Sequence, residues 1–337
     1  MRLLITVLVS TLLIAGCGSG SSSFTDSVAA YCLGDFNELT ITNGGGSETY
    51  SLVVREAGPT PISMSGVRSG SLLMLSGSAG GITFDYDVTI SGDESSATAA
   101  ALATVGSDSF AWNEFGTLGS CPTVDLTAGV PQLAATDFVD VANDIQDISM
   151  FRSAYGHDYS DEFETCRSMK HYYSPPMAKR INNTVAVYSP VDGTIVRLGR
   201  EDSDPDDGMT NQKVIIQSDD DAAMNVVLFH IDLLSPPLAV GDTVTAGQQV
   251  GFANLFRDGS SSHDFDIAVH ANATDSVRYI SYFEFMTNTL FANYSSYGTM
   301  LDEFIISESE RDMDPLTCSG EDFTSSGTLP SWFYNLP

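Results

Sequence analysis

Residues 188–196 read YSPVDGTIV, a strand pattern that is entered through a proline and an Asp-Gly turn. Residues 238–251 read LAVGDTVTAGQQVG, in which apolar positions alternate around a Gly-Asp and an Ala-Gly turn. Alternating apolar residues place one face of a strand in a core, and glycine and aspartate favour tight turns. The two stretches therefore predict neighbouring parts of one β-sheet with a shared cleft.

Two further segments of the same region each carry a histidine in a strand pattern. Residues 225–231 read NVVLFHI and residues 263–269 read HDFDIAV. Together with the two quoted stretches, they resemble the sheet of the lysostaphin-like zinc endopeptidases, which cut peptidoglycan crosslinks. The resemblance covers residues 150–272. A more distant likeness to biotinyl and lipoyl carrier domains fails, because no lysine occupies the hairpin position that those domains modify.

The resemblance implies a zinc site, and its second motif falls on two aspartates. The family holds zinc with a His-x-x-x-Asp pair and the second histidine of His-x-His. The best alignment puts Asp264 and Asp266 at the two histidine positions. Side chains two apart on a strand point the same way, so His263 would face the other side. Starting the motif at His263 would put Phe265 in the ligand position, and phenylalanine cannot bind zinc.

The first motif has two possible alignments. His157 and Asp161 have the His-x-x-x-Asp spacing and follow an aromatic-Gly turn, as in the family. Alignment on Pro175 instead puts Arg167 in the histidine position and His171 in the aspartate position. Arginine cannot be a zinc ligand, so the second alignment breaks the metal site.

Three interpretations of these side chains remain open. The first is a metal site in which zinc activates water for peptide hydrolysis, with mixed histidine and carboxylate ligands. The second is a degenerate domain, in which the same polar groups form a hydrogen-bonded network and the groove binds a ligand. The third is an unrelated arrangement. In the first interpretation the metal ligands are His157, Asp161 or His171, and Asp266, while His230 and Asp264 act as the catalytic residues. We adopt the second interpretation.

Two segments are unusually rich in His, Tyr, Arg and Lys for this acidic chain. They are residues 152–159, RSAYGHDY, and residues 166–173, CRSMKHYY. One interpretation is a cationic rim that holds a carboxylate ligand. The other is a set of charge pairs that neutralise nearby acidic residues.

The N-terminus resembles a bacterial lipoprotein signal. Apolar residues from Leu3 to Ala15 suit the core of a secretion signal and are too few to span a bilayer. Ile14-Ala15-Gly16-Cys17 resembles the lipobox, which implies cleavage after residue 16 and acylation of Cys17. We expect a signal peptide at 1–16, a lipidated cysteine and flexible tether at 17–23, and attachment to the outer membrane if the cell has one.

Four cysteines remain after Cys17, an even number that suits disulfides in an oxidising compartment. Three pairings are formally possible. We favour Cys32–Cys121 and Cys166–Cys318, because each pair would then bracket one predicted domain.

The chain is predicted to be mainly β with some α. Domain 24–130 contains strand patterns separated by glycine-rich turns, the clearest at Ile82–Ile90, and is expected to form an antiparallel β-sandwich or barrel. It has no histidine, which excludes a histidine-dependent site there. Domain 131–337 is expected to be the lysostaphin-like sheet, a barrel-sandwich hybrid, with flanking helices. Helices are predicted around Phe138–Ile148, capped by Thr136 or Asp137, and at Tyr279–Tyr294.

The charge balance limits the partners. Lys and Arg total 14 against 44 Asp and Glu, a formal charge of −30, so no large basic face exists for nucleic acid. The expected partners are peptidoglycan or a cell-wall hydrolase, and the membrane through the N-terminal lipid. Zinc is the one cofactor that the resemblance implies.

Overall fold

The computed structural model describes residues 27–44, 47–55, 60–200, 211–255, 263–295 and 300–335. The predicted signal peptide, Cys17 and the tether lie outside these residues. The chain divides into two compact units between Pro122 and Thr123. This division lies ahead of the predicted boundary at 130/131, because side chains of the connecting segment, Leu126, Val130 and Leu133, pack against the core of the second unit.

The first unit is an eight-stranded antiparallel barrel. Each strand pairs with the next one in the chain, and β1 also pairs with β8, which closes the sheet. Of the two predicted alternatives, the barrel is therefore the observed one, and the predicted strand Ile82–Ile90 has the observed bounds. The strands are β1 Ser27–Leu33, β2 Asn37–Gly44, β3 Ser47–Val53, β4 Ile62–Ser69, β5 Leu72–Ala79, β6 Ile82–Ile90, β7 Ser96–Val105 and β8 Asp108–Leu118.

Apolar and polar residues alternate along the strands, and the apolar side chains fill the barrel. In β6, Phe84, Tyr86, Val88 and Ile90 are buried, while the aspartates and threonine between them are exposed. This is the pattern of a strand with one face in a core and one in water. The Cys32–Cys121 disulfide ties β1 to the chain after β8 and confirms the predicted pairing.

The second unit is built on a mixed set of short and long antiparallel strands. Its order runs β12, β13, β14, β17, β10, β9 and β21, with β11, β15, β16 and β18 paired along the same sheet. The strands are β9 Asp147–Ser149, β10 His171–Ser174, β11 Ala186–Tyr188, β12 Gly193–Arg200, β13 Gln212–Ser218, β14 Met224–Leu233, β15 Thr243–Val244, β16 Gln249–Ala253, β17 Phe265–Asn272, β18 Val277–Ile280, β19 Cys318–Ser319, β20 Asp322–Phe323 and β21 Trp332–Asn335.

The two stretches that suggested a common sheet are paired with each other. Gly193 and Thr194 of β12 oppose Val244 and Thr243 of β15. The backbone of Ile195 exchanges hydrogen bonds with the Gly241-Asp242 turn, at 2.8 Å in each direction. The prediction that they belong to one sheet is confirmed.

Both predicted helices are shorter or broken. Around residue 138, only Val141–Asp144 is helical (α1), because Ile148 leaves the helix to pair with Tyr173 of β10. Asp140, rather than a residue at 136 or 137, caps α1 through the Asn143 amide. Pairing between strands therefore overrides the helical spacing of the apolar residues.

The predicted helix at Tyr279–Tyr294 is divided into three elements. Its first residues form β18 against β17, Ser281 caps the short helix α2 Tyr282–Phe285, and α3 Asn288–Ser295 follows. Its apolar residues still enter the core, including Phe283, Met286 and Leu290. The remaining helix is α4 Glu308–Met313, and short 3₁₀ turns lie at Leu126–Ala128, Met177–Lys179 and Leu301–Glu303.

A second disulfide, Cys166–Cys318, lies within this unit and confirms the other predicted pair. It links the loop before β10 to the two-stranded β19–β20 ribbon. Within the described ranges, no helix is both long and apolar enough to cross a membrane.

Candidate functional site

A buried ammonium group lies at the centre of the site. Lys170, immediately before β10, is 2% exposed, and its Nζ pairs with the carboxylate of Asp266 in β17, which is fully buried. The pairing of β10 with β17 brings the two together, because Tyr172 lies opposite Asp266 in the register. A charge pair removed from water in this way must compensate for the cost of desolvating both groups.

Three aromatic rings surround the same ammonium group. Its Nζ lies 4.9 Å from the ring centre of Tyr159, 4.8 Å from that of Tyr172 and 4.4 Å from that of Phe229. The negative faces of aromatic rings attract a cation at these distances, and more strongly where water is excluded. The rings and Asp266 together therefore surround the Lys170 ammonium group.

His157 completes the surroundings of Lys170. Its Nε2 lies 3.2 Å from Lys170 Nζ and its Nδ1 lies 3.1 Å from the carbonyl oxygen of Asp158. The neutral tautomer that satisfies both contacts donates from Nδ1 to the carbonyl and accepts at Nε2 from the ammonium. Burial, followed by the charge of Lys170, lowers the pKa of His157, which favours this neutral form.

His230 lies on the other side of Asp266, where β14 changes partners. The strand pairs with β17 up to Phe229 and with β16 from Ile231 onward. At the change, His230 has a φ of 60°, a left-handed conformation that non-glycine residues adopt at a cost. Its Nδ1 lies 2.8 Å from Asn211 Oδ1 and its Nε2 lies 3.6 Å from Asp266 Oδ1. The imidazole is thus fixed beside the buried carboxylate, with 17% of the side chain exposed.

The other two predicted metal ligands are engaged elsewhere. Asp161 accepts hydrogen bonds from the backbone amides of Phe163, Glu164 and Tyr279, so it shapes a turn. His171 is the first residue of β10, and the contacts of its side chain differ from those of Lys170. Its ring is fully buried against Phe151, with Nδ1 on the Ser149 carbonyl at 2.9 Å and Nε2 on the Ser281 hydroxyl at 2.8 Å. None of these contacts involves Lys170.

The predicted site is therefore only partly assembled. His157 and Asp266 converge on one point, which the Lys170 ammonium group fills, and Asp264 accepts a hydrogen bond from the Tyr155 hydroxyl. In the part of the chain that the structure describes, no group of three or more His, Cys, Asp or Glu side chains is arranged to hold a metal ion. As these side chains stand, they do not fit a zinc ion.

The two basic segments prove to be charge-paired. Arg152 and Arg167 share the carboxylate of Glu164, at 2.6 and 2.7 Å, and Arg167 also pairs with Asp312 at 2.9 Å. This agrees with the second of the two interpretations of these segments. Sequence reasoning missed Asn211, and it placed Lys170 in a possible cationic rim rather than at the centre of the site. The signal for Lys170 was its position between two aromatic-rich stretches of a chain with few basic residues.

His171, which is buried, and Asp137, which is half-buried, predict an unusual pH dependence of stability. Burial lowers the pKa of His171 from 6.5 to about 4 and raises the pKa of Asp137 from 3.8 to about 6. As pH falls from 6.5 to 4, the unfolded chain takes up a proton that folded His171 refuses, which costs about 3 kcal/mol of stability. As pH falls from 6 to 3.8, folded Asp137 takes up a proton first, which adds about as much.

We therefore expect the two effects to offset in the wild type and to separate in Asp137→Asn. This variant should lose about 3 kcal/mol more than the wild type on acidification from about pH 7 to about pH 4, measured by urea unfolding. The double variant Asp137→Asn, His171→Gln is the control and should regain the shallow dependence. Parallel pH profiles for the wild type and Asp137→Asn would contradict the prediction.

Comparison with known proteins assigns no family. No family model matches the chain, and no curated protein matches it. One solved structure, "Structure of Helicobacter pylori Csd3 from the hexagonal crystal", is similar at 11% identity over 79% of this chain and 75% of that one, with a TM-score of 0.28. Neither a family nor an activity follows from this similarity.

Proposed function

We propose that the second unit is a lysostaphin-like sheet that has lost its metal and binds a peptide of peptidoglycan without cleaving it. The observation that carries the proposal is the Lys170 ammonium group between His157 and Asp266. These are two of the residues that the family resemblance assigns to zinc. A second cation at the same point would be repelled by the first and would find its carboxylate already paired.

The partly exposed side chains around this centre offer suitable chemistry for a peptide. The imidazole of His230 is partly exposed, and Lys213 holds its Nζ 5.2 Å from the ring centre of Phe229. The ring of Tyr279, partly exposed, stacks on that of His270 with centres 4.2 Å apart. Imidazole and ammonium groups can bind the carboxylates and amide carbonyls of a stem peptide, and the rings can bind its apolar parts.

The test combines metal analysis with binding to cell-wall sacculi. We expect purified protein to bind sacculi without releasing peptides and to carry no stoichiometric zinc. His230→Ala should weaken binding about fivefold or more, since a lost hydrogen bond to a charged group costs at least about 1 kcal/mol. Lys179→Met, which removes a surface ammonium paired with Asp144, is the control and should bind normally.

The alternative is an active zinc endopeptidase. About one zinc per chain, removable by a chelator together with hydrolysis of sacculi, would establish it and overturn the binding proposal. Failure to bind sacculi, combined with specific retention of a cell-wall hydrolase, would identify the other expected partner. Loss of both binding and hydrolysis would contradict both functions.

We also propose that the mature protein is anchored to the bacterial envelope through lipid on Cys17. The lipobox resemblance of residues 14–17 and the following GSGSSS tether support this. Wild-type protein should be recovered in the membrane fraction as a processed, acylated chain. Cys17→Ser should abolish acylation and processing, which intact mass spectrometry can measure. A Cys17→Ser chain that is still acylated would contradict the proposal.

A further inference from the structure

The first unit has a cavity at one end of its barrel. The inward positions along the middle of the strands carry a continuous apolar core, in which Leu39, Leu73 and Val88 are fully buried. The far end is closed by Glu114, which is also fully buried and accepts hydrogen bonds from Asn37 and Trp112. At the opposite end lie the β2–β3, β4–β5 and β6–β7 connections. The apolar side chains do not fill the interior of the barrel there. A depression of about 280 Å³ remains there.

Strand alternation determines which side chains line this mouth. Tyr50, Met64 and Ile41 face the interior of the barrel. Residues an even number of positions from them on the same strand face the interior as well, and some of these lie nearer the mouth. Glu48 precedes Tyr50 by two positions, and Arg68 follows Met64 by four. The walls of the cavity are apolar at Val28, Ile41 and Ile90, and its charged groups are Glu48, Arg68 and Glu94.

The charged groups leave one negative charge in excess. Arg68 Nη1 lies 3.0 Å from Glu48 Oε1, whereas its Nη2 lies 3.7 Å from Glu94 Oε1. The second oxygen of Glu48 accepts from the Tyr50 hydroxyl at 2.7 Å, and Arg68 Nε donates to the carbonyl of Gly70 at 3.1 Å. Glu48 is thus well satisfied, whereas among the described residues the ionic contact of the Glu94 carboxylate is the long one with Arg68.

We propose that this barrel mouth binds a small organic cation, a primary ammonium group on a short apolar chain. The ammonium group pairs with Glu94 at the rim, and the chain lies against Ile41 and Ile90. An organic anion of the same length meets two carboxylates for one guanidinium and is excluded. The volume is at the small end for ligand pockets, which limits the ligand to a few carbon atoms.

The test compares three probes that share one chain and differ in the head group: n-butylammonium, n-butanol and butyrate. Binding to the purified protein is followed by calorimetry and by backbone amide NMR shifts. We expect saturable binding of n-butylammonium alone, with shifts confined to residues around the mouth. Equal or tighter binding of butyrate, or no saturable binding of n-butylammonium, would overturn the proposal.

Two variants and a control tie binding to the rim charges. Glu94→Gln should weaken n-butylammonium binding about two- to fivefold, the effect of one exposed ion pair. Arg68→Gln should strengthen it by a similar factor, because it removes the competing cation. Asp108→Asn makes the same charge change at the opposite end of the barrel and should leave affinity unchanged. An equal effect of Asp108→Asn and Glu94→Gln would overturn the assignment. The cavity and His230 belong to different units. Failure of n-butylammonium to bind would therefore leave the peptide-binding proposal standing.

Discussion

Lys170→Met is expected to lower the free energy of unfolding of the second unit by about 3–5 kcal/mol. Methionine fills much of the space of the lysine chain, so the cavity term is small. The loss comes from Asp266, whose fully buried carboxylate would lose the ammonium group that compensates for its desolvation. The rings of Tyr159, Tyr172 and Phe229 would lose a cation as well. Urea unfolding, followed by the fluorescence of Trp332 in a Trp112→Phe background, measures the change.

Removing both charges should restore most of this stability. In Lys170→Met, Asp266→Leu, the pair is replaced by apolar side chains of similar volume, an exchange that is often neutral or stabilising. Lys179→Met is the matched control, because it breaks an ion pair with Asp144 in which the lysine is 41% exposed, and it should lower stability far less than Lys170→Met. A Lys170→Met variant as stable as this control would contradict a buried ion pair at the centre of the site.

The sheet could be predicted from sequence because its determinants are local. Alternation over Ile82–Ile90 and the Asp-Gly and Gly-Asp turns near Gly193 and Gly241 each fix the backbone within a few residues. The helices could not be predicted in the same way. The apolar spacing around Ile148 suits a helix, but pairing with Tyr173, which is distant in sequence, decides the conformation.

The centre of the site could be predicted only in part. The family pattern led to His157, His230 and Asp266, and the structure places His157 and Asp266 on the same ammonium group of Lys170. The sequence pattern could not indicate that Lys170 lies between His157 and Asp266. The position of its ammonium group depends on the conformation of the long lysine side chain. The alignment that offered His171 depended on counting residues, whereas in the structure its ring lies on Ser149 and Ser281.

The lysine at this point compensates the charge of a buried carboxylate. A carboxylate removed from water needs a cation close to it. The Lys170 ammonium group supplies that charge to Asp266 from within the chain, and His230 lies against the same carboxylate.

Each disulfide is expected to stabilise its own unit by about 4–5 kcal/mol. Cys166 and Cys318 are 152 residues apart, and Cys32 and Cys121 are 89 apart. Closing loops of this length removes many conformations from the unfolded chain. Replacing Cys166 and Cys318 together by alanine should therefore lower the unfolding free energy of the second unit by about this amount.

The two tryptophans allow each unit to be measured separately. Trp112 lies in β8 of the first unit and Trp332 in β21 of the second, so Trp112→Phe and Trp332→Phe each leave one reporter. In the Trp112→Phe background, loss of Cys166–Cys318 should move the urea midpoint strongly and loss of Cys32–Cys121 should not; the Trp332→Phe background should give the reverse. Midpoints that move together in both backgrounds would show that the units unfold as one, against the division of the chain between Pro122 and Thr123.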